Sequence, residues 1–198
     1  MNQQQYEEIK NKILKRLNDE LPFDIFYHSV DHTLDVLNTA EELGKAENLP
    51  EEDLLLLKLA ALFHDTGFLK NYNQHEEASA KMAEEILRQY GVNDAGIEKI
   101  KKLILATKPG IIPETLPEKI LIDADLDYLG REDFIPISQK LYLEWKNKGK
   151  VKDLHDFYKI QYDFLKNHRF HTSTSKKRRQ KVKEKHISKL KEILYGTK

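Results

Sequence analysis

Three short polar runs carry the residues suited to chemistry: Tyr27-His28-Ser29-Val30-Asp31-His32, His64-Asp65 and Asp123-Ala124-Asp125-Leu126-Asp127. The chain has no cysteine. A thiolate nucleophile, a disulfide frame and a zinc-thiolate knuckle are therefore excluded, and any metal must be held by His nitrogen and carboxylate oxygen. His28 and His32 are four residues apart, so they share a face if the helix already includes His28. His64 and Asp65 are adjacent, about 100° apart on a helix, and can converge on one ion only from the side that faces between them. The run from Asp53 to Phe63 that leads to them is apolar nearly all round. It predicts a buried central helix that delivers two polar groups into low dielectric, where each costs roughly a few kcal/mol unless partnered. One buried ion would satisfy both. A balancing carboxylate is available in Asp125, which follows the apolar approach Ile120-Leu121-Ile122. Two neutral imidazoles and two carboxylates would leave a divalent cation roughly neutral, with positions open for water or a substrate oxygen. Such mixed donors suit manganese, iron, cobalt, nickel or zinc, and magnesium less well.

The elements that must position these groups are helices. Tyr6, Ile9, Ile13 and Leu17 recur at spacings of three and four, as do the apolar residues around Ile86 and Ile97 to Ile104, and strand alternation is absent. Punctuation divides the chain into nine helical segments. Pro22 ends the first, and Ser29 or Asp31 starts the second, which runs toward Gly44. Pro50 with Glu51, Glu52 and Asp53 opens the third, which Gly67 closes. The others run about Glu76 to Tyr90, Asn93 to Thr107, Pro117 to Tyr128, Asp133 to Lys148, Asp153 to Asn167 and Ser175 to Leu194. The expected fold is all-α, a helical bundle with the metal site between its central helices.

A chain of 198 residues with 39% hydrophobic and 33% charged residues builds a core and is not disordered throughout. The expected division is a helical core over 1–165 and a basic C-terminal helical extension over 166–198, packed on the same domain. No apolar run approaches the roughly 20 residues that span a bilayer, and the polar first residues do not read as a secretion signal, so a cytoplasmic address is expected. The net charge of zero hides 12 basic residues against two acidic ones from Lys166 onward. This tail reads first as a solvated helix docked on an acidic body; attraction of phosphate or nucleic acid is the other reading, and nucleic acid is not the expected partner.

The order His32, His64-Asp65, Asp125, all on helices, resembles the HD-domain superfamily of metal-dependent phosphohydrolases, in the manner of its small stand-alone members. The likeness spans about Pro22 to Gly130. It lies in the wording Tyr-His-Ser-Val-Asp-His-Thr-Leu-Asp-Val at 27–36, Ala-Ala-Leu-Phe-His-Asp-Thr-Gly at 60–67 and Asp-Ala-Asp-Leu at 123–126. The resemblance implies a metal held by His32, His64, Asp65 and Asp125, with Asp123 as a carboxylate behind them or a helix cap. His28 matches the histidine that protonates the leaving oxygen in cyclic-nucleotide phosphodiesterases of the superfamily. His75 resembles the additional histidine of members with a second metal or an extra phosphate contact. Dinuclear members carry histidines where this chain has Phe68 and Thr107, so a second ion lacks two of its usual ligands. No Gly-Tyr-Pro follows the His-Asp pair, and Gly67-Phe68-Leu69 stands where stringent-response hydrolases have an acidic pair.

These readings lead to an expected hydrolysis of a phosphate ester of a nucleotide or related small molecule, with Asp65 orienting or deprotonating water and His28 as acid. His75, Lys108, Arg178 and Arg179 are candidate substrate contacts, the arginines as bidentate phosphate clamps. The alternative is a non-catalytic, metal-containing module that senses a nucleotide. His155-Asp156 is a second His-Asp pair, but its amphipathic flanks place it near water. An apolar face on the Asp133 to Asn167 segments offers a surface on which two subunits could pair as a homodimer.

Overall fold

Tyr6, Ile9, Ile13 and Leu17 turn one face of the first helix, α1 (Gln3–Glu20), into the core, each at 3% exposure or less. Asn2 and Gln5 close its N-terminus reciprocally: the Asn2 side chain accepts from the Gln5 amide and the Gln5 side chain accepts from the Asn2 amide, both at 2.9 Å. The computed structural model describes residues 1–196. Among them the chain is all-α, with nine α-helices, two short 3-10 turns and no strand. After α1 come α2 (Val30–Ala46), α3 (Glu51–Phe63), α4 (His75–Gln89), α5 (Asp94–Ala106), α6 (Leu116–Asp125), α7 (Phe134–Asn147), α8 (Leu154–Asn167) and α9 (Ser173–Tyr195). The 3-10 turns are Thr66–Leu69 and Asp127–Gly130.

Chain contacts divide these elements into two units. The first, Met1–Pro22 with His28–Asp125, holds α1 to α6. Within it α3 touches each of the other five helices. It occupies that place because it has no polar face to leave in water: from Leu56 to Phe63 only Lys58 escapes burial, and each fully buried Leu or Phe contributes about 1.5–3 kcal/mol. Pro50 precedes its first turn and Glu51, Glu52 and Asp53 fill it, where acids complement the helix dipole. The helix ends at Phe63, and the chain tightens into the 3-10 turn that begins at Thr66. α2 begins at Val30, between the two expected starts, so His28 lies outside it and does not share a helical face with His32. α6 ends at Asp125, three residues before the expected Tyr128, which puts that carboxylate at a helix terminus.

The second unit, Phe23–Tyr27 with the chain from Leu126 onward, packs α7, α8 and α9 around Tyr128, Leu129, Phe134, Phe157, Leu165, Phe170 and Leu190. Buried Glu144 accepts the backbone amides of Phe26 and Tyr27 at 3.1 and 3.0 Å. Thr172 caps α9 by accepting from the Ser175 amide, and Asp153 caps α8 through the Asp156 amide. At the end of α8, the fully buried Lys183 donates to the His168 carbonyl at 2.7 Å and lies 3.2 Å from its Nδ1.

Burial, with Lys183, His171 and Arg169 adding like charge, pushes His168 down to about 3. The unfolded chain therefore takes up the proton first as pH falls. The stabilisation is complete above about pH 6.5 and is lost progressively toward pH 3, at about 1.4 kcal/mol per unit. Urea unfolding at pH 7 and pH 5 is expected to show the native protein losing about 2 kcal/mol more over this interval than His168→Gln. Parallel pH dependence in the two proteins would contradict it.

Candidate metal centre

The ends of three helices converge in the first unit. His32 lies in the first turn of α2, His64 and Asp65 directly follow α3, and Asp125 closes α6. The His32 Nε2 stands 3.3 Å from the His64 Nε2, 3.3 Å from Asp65 Oδ2 and 3.1 Å from Asp125 Oδ1. The His64 Nε2 stands 3.1 Å from Asp65 Oδ2 and 3.6 Å from Asp125 Oδ1. His32, His64 and Asp125 each offer a donor atom within 4.8 Å of the others. The His64 Nδ1 lies 2.7 Å from the Ala61 carbonyl. With Nδ1 donating there, Nε2 is the nitrogen that faces the cluster.

The set fits a divalent ion. An ion about 2.1 Å from each donor spaces neighbouring donors about 3.0 Å apart in octahedral and about 3.4 Å in tetrahedral coordination. The five spacings, 3.1 to 3.6 Å, lie just above the octahedral value and on either side of the tetrahedral one. Imidazole nitrogen and carboxylate oxygen are donor types that protein metal sites use. His64 and Asp65 are buried while the Asp125 side chain keeps 21% of its exposure, so the cluster opens on the Asp125 side.

The charges within the cluster support one another. Burial works against a charged imidazole, but hydrogen bonds to Asp125 and Asp65 raise His32, and the two carboxylates raise His64 well above its usual range. Burial likewise opposes the carboxylates, yet His64, His32 and His28 hold Asp65 well below the ordinary range, and His32 and His64 lower Asp125.

Residues 29–127 match the HD domain, half of the chain. This protein belongs to the HD-domain superfamily. Among curated proteins no sequence matches it. Three solved structures share its fold. A predicted HD superfamily hydrolase from an uncultured Thermotogales bacterium is 24% identical, with 95% of this chain and 88% of that one covered and a TM-score of 0.59. The Lin1889 protein of Listeria innocua is 21% identical over all of both chains, with a TM-score of 0.65. Bacillus subtilis YpgQ, in complex with ADP, is 16% identical, with 96% and 98% covered and a TM-score of 0.64.

Around His32, His64, Asp65 and Asp125 of this HD-domain protein stand two further histidines expected from the sequence. His75, the first residue of α4, has its Nε2 3.6 Å from Asp65 Oδ1 and 3.6 Å from Glu76 Oε1. Asp65 thus turns one oxygen to the cluster and the other toward His75. The His28 ring lies edge-on to His32 at 6.0 Å between centroids. Asp123 is buried in α6. Lys108 is half-buried and pairs with Glu77 in the first turn of α4. Arg178 and Arg179 lie on α9 in the second unit, Arg178 exposed and Arg179 bound through Nε to Asp127 at 2.7 Å. His155 is exposed, as its flanks predict, and Asp156 serves the N-terminus of α8.

Three features escaped the sequence reading. Buried Glu76 approaches His75. The Gly67 amide donates to Ser79 Oγ at 2.8 Å, tying the turn after Asp65 to α4. The ring of Phe68 stacks near both His28 and His75. A small residue in the turn and the Ser79 hydroxyl four residues past His75 were the available signals, and neither says which elements meet.

Proposed function

We propose that this HD-domain protein is a metal-dependent phosphohydrolase that cleaves a phosphate ester of a nucleotide or related small molecule. The observation that carries the reading is the convergence of His32, His64 and Asp125, each with a donor atom within 4.8 Å of the others, with Asp65 Oδ2 beside both imidazoles and the Asp125 side chain partly open to solvent. The ADP held by the similarly folded YpgQ supports a nucleotide as substrate class.

His32, His64, Asp65 and Asp125 would hold manganese, iron, cobalt, nickel or zinc, with magnesium a poorer fit to two nitrogens. When bound, such an ion supplies Lewis acidity, lowering the pKa of water toward 7 and polarising a phosphoryl oxygen. The chain supplies the rest. Asp65 Oδ1, on the side away from the imidazole pair, orients the attacking water and accepts its proton. The new bond joins water oxygen to phosphorus, the ester P–O bond breaks, and His28 protonates the departing oxygen. His75 and Lys108 would hold phosphate oxygens.

The same proposal includes a cytoplasmic setting; no described helix is long and apolar enough to cross a membrane. It includes a homodimer through the exposed Ile135 and Leu143 of α7 and Leu154, Ile160 and Phe164 of α8.

Elemental analysis followed by chelation and restoration of Mn²⁺ tests the activity, with nucleoside mono- and diesters as substrates. Turnover is expected to vanish on chelation, return with Mn²⁺, and fall at least about 100-fold in His64→Ala, beyond the effect of losing a partner outside the ligand set. Turnover indifferent to both would overturn the reading. Tight binding of ADP that stays intact through long incubation would mark the nucleotide-sensing alternative instead.

A further inference from the structure

We infer that Phe68 is a positioning residue that braces both His28 and His75 against the metal centre. The inference rests on the proposed function of that site.

His28 stands outside regular structure. It lies two residues before α2, so no helical ladder sets the direction of its ring. His75 is the first residue of α4 and follows Gln74, whose φ of 58° puts it in the left-handed region. Both imidazoles thus sit where the backbone holds them least. Phe68 is placed differently. It is in the 3-10 turn that starts immediately after Asp65, is 3% exposed, and meets Tyr72 edge-on at 5.3 Å.

From that fixed position its ring runs nearly parallel to both imidazoles. The His28 centroid is 4.1 Å away at an interplanar angle of 21°, and the His75 centroid is 4.0 Å away at 24°. The two imidazoles stand 6.1 Å apart at 45° to each other. The phenyl plane therefore lies between theirs in orientation, and one ring packs against both, with the His75 Nδ1 also 3.4 Å from the Tyr72 carbonyl. Offset stacking of this kind has a preferred geometry that an aliphatic side chain of equal volume cannot impose. Because the turn carrying Phe68 is continuous with Asp65, the brace refers both histidines to the cluster itself. His75 is held with Nε2 toward Asp65 Oδ1, and His28 with its edge toward His32.

A purely structural core residue and a brace differ in what they move. Loss of core packing lowers stability or metal content. Loss of the brace leaves the ion and its affinity for substrate in place while the rings drift, and small misplacements of a reacting group act mainly on kcat.

The test uses Phe68→Leu and Phe68→Tyr beside the native protein. In metal-free samples at one pH, proton–carbon NMR of the imidazole C–H groups, assigned with His28→Gln and His75→Gln, reads ring placement without any turnover. The His28 and His75 signals are expected upfield in the native protein and in Phe68→Tyr, and to lose that displacement in Phe68→Leu. With Mn²⁺, Phe68→Leu is expected to keep its metal and a KM within about threefold while kcat falls about 10- to 100-fold, and Phe68→Tyr to stay within about threefold in both. Should Phe68→Leu not fold, Phe68→Met removes the ring at similar volume. Imidazole signals that do not respond to loss of the ring, or a ringless variant with native kcat, would overturn the inference. A native protein with no phosphohydrolase activity would instead sink the proposed function, and the NMR comparison would then decide the brace by itself.

Discussion

Asp65→Asn is expected to lose about 10²- to 10⁴-fold in turnover, the range of a positioned proton acceptor. The substitution preserves volume but gives one oxygen where two are needed. Asp65 Oδ2 sits 3.3 and 3.1 Å from the His32 and His64 nitrogens, and Oδ1 faces the His75 Nε2 at 3.6 Å. An amide can present its oxygen to the cluster or to the water side, never to both. If the oxygen turns to the ligands, metal is retained and the proton acceptor is gone; if the nitrogen turns there, metal affinity falls as well. Metal content measured beside kcat tells the two apart. Turnover within about threefold of native would remove Asp65 from the mechanism.

Gly67→Ala is expected to destabilise the first unit by about 3 kcal/mol or more, at or above the upper end of ordinary overpacking. A Cβ built at Gly67 would lie 1.9 Å from the His75 carbonyl oxygen and 2.6 Å from its carbon. Those are backbone atoms at the start of α4, so no rotamer change relieves the clash. Either the 3-10 turn or the N-terminal turn of α4 must move, and the Gly67 amide would lose Ser79 Oγ at 2.8 Å. The turn carries Phe68 and the helix carries His75, so site geometry goes with stability. A urea midpoint unchanged from native would show that the turn and α4 do not approach as described.

The helices were legible because burial here has a helical period. Tyr6, Ile9, Ile13 and Leu17 are read directly as a face, and the all-round apolar run into Phe63 is read as the helix at the centre. The polar cluster was legible for a related reason: His64-Asp65 and Asp125 end apolar approaches, where unpartnered polar groups are too costly to be accidental. What could not be read depends on which elements meet. A shared helical face for His28 and His32 depended on where the helix starts; it begins at Val30, and the two rings stand nearly perpendicular, 6.0 Å apart. The stack on Phe68, the approach of Glu76 to His75, and the closeness of Gly67 to α4 each need two segments docked at one angle, which no periodicity encodes. Arg179 was read as a phosphate clamp, while its Nε is bound to Asp127, 52 residues earlier.

The five residues Phe23–Tyr27 belong to the second unit although the chain on either side of them belongs to the first. Their tie is to Glu144, 117 residues beyond Tyr27. During synthesis this stretch leaves the ribosome long before its acceptor exists. The N-terminal helices can assemble around it, but the connection between α1 and α2 stays unfinished until α7 emerges. No single scissile point in the gene, whether for truncation, fusion or permutation, separates the two halves without orphaning one of them.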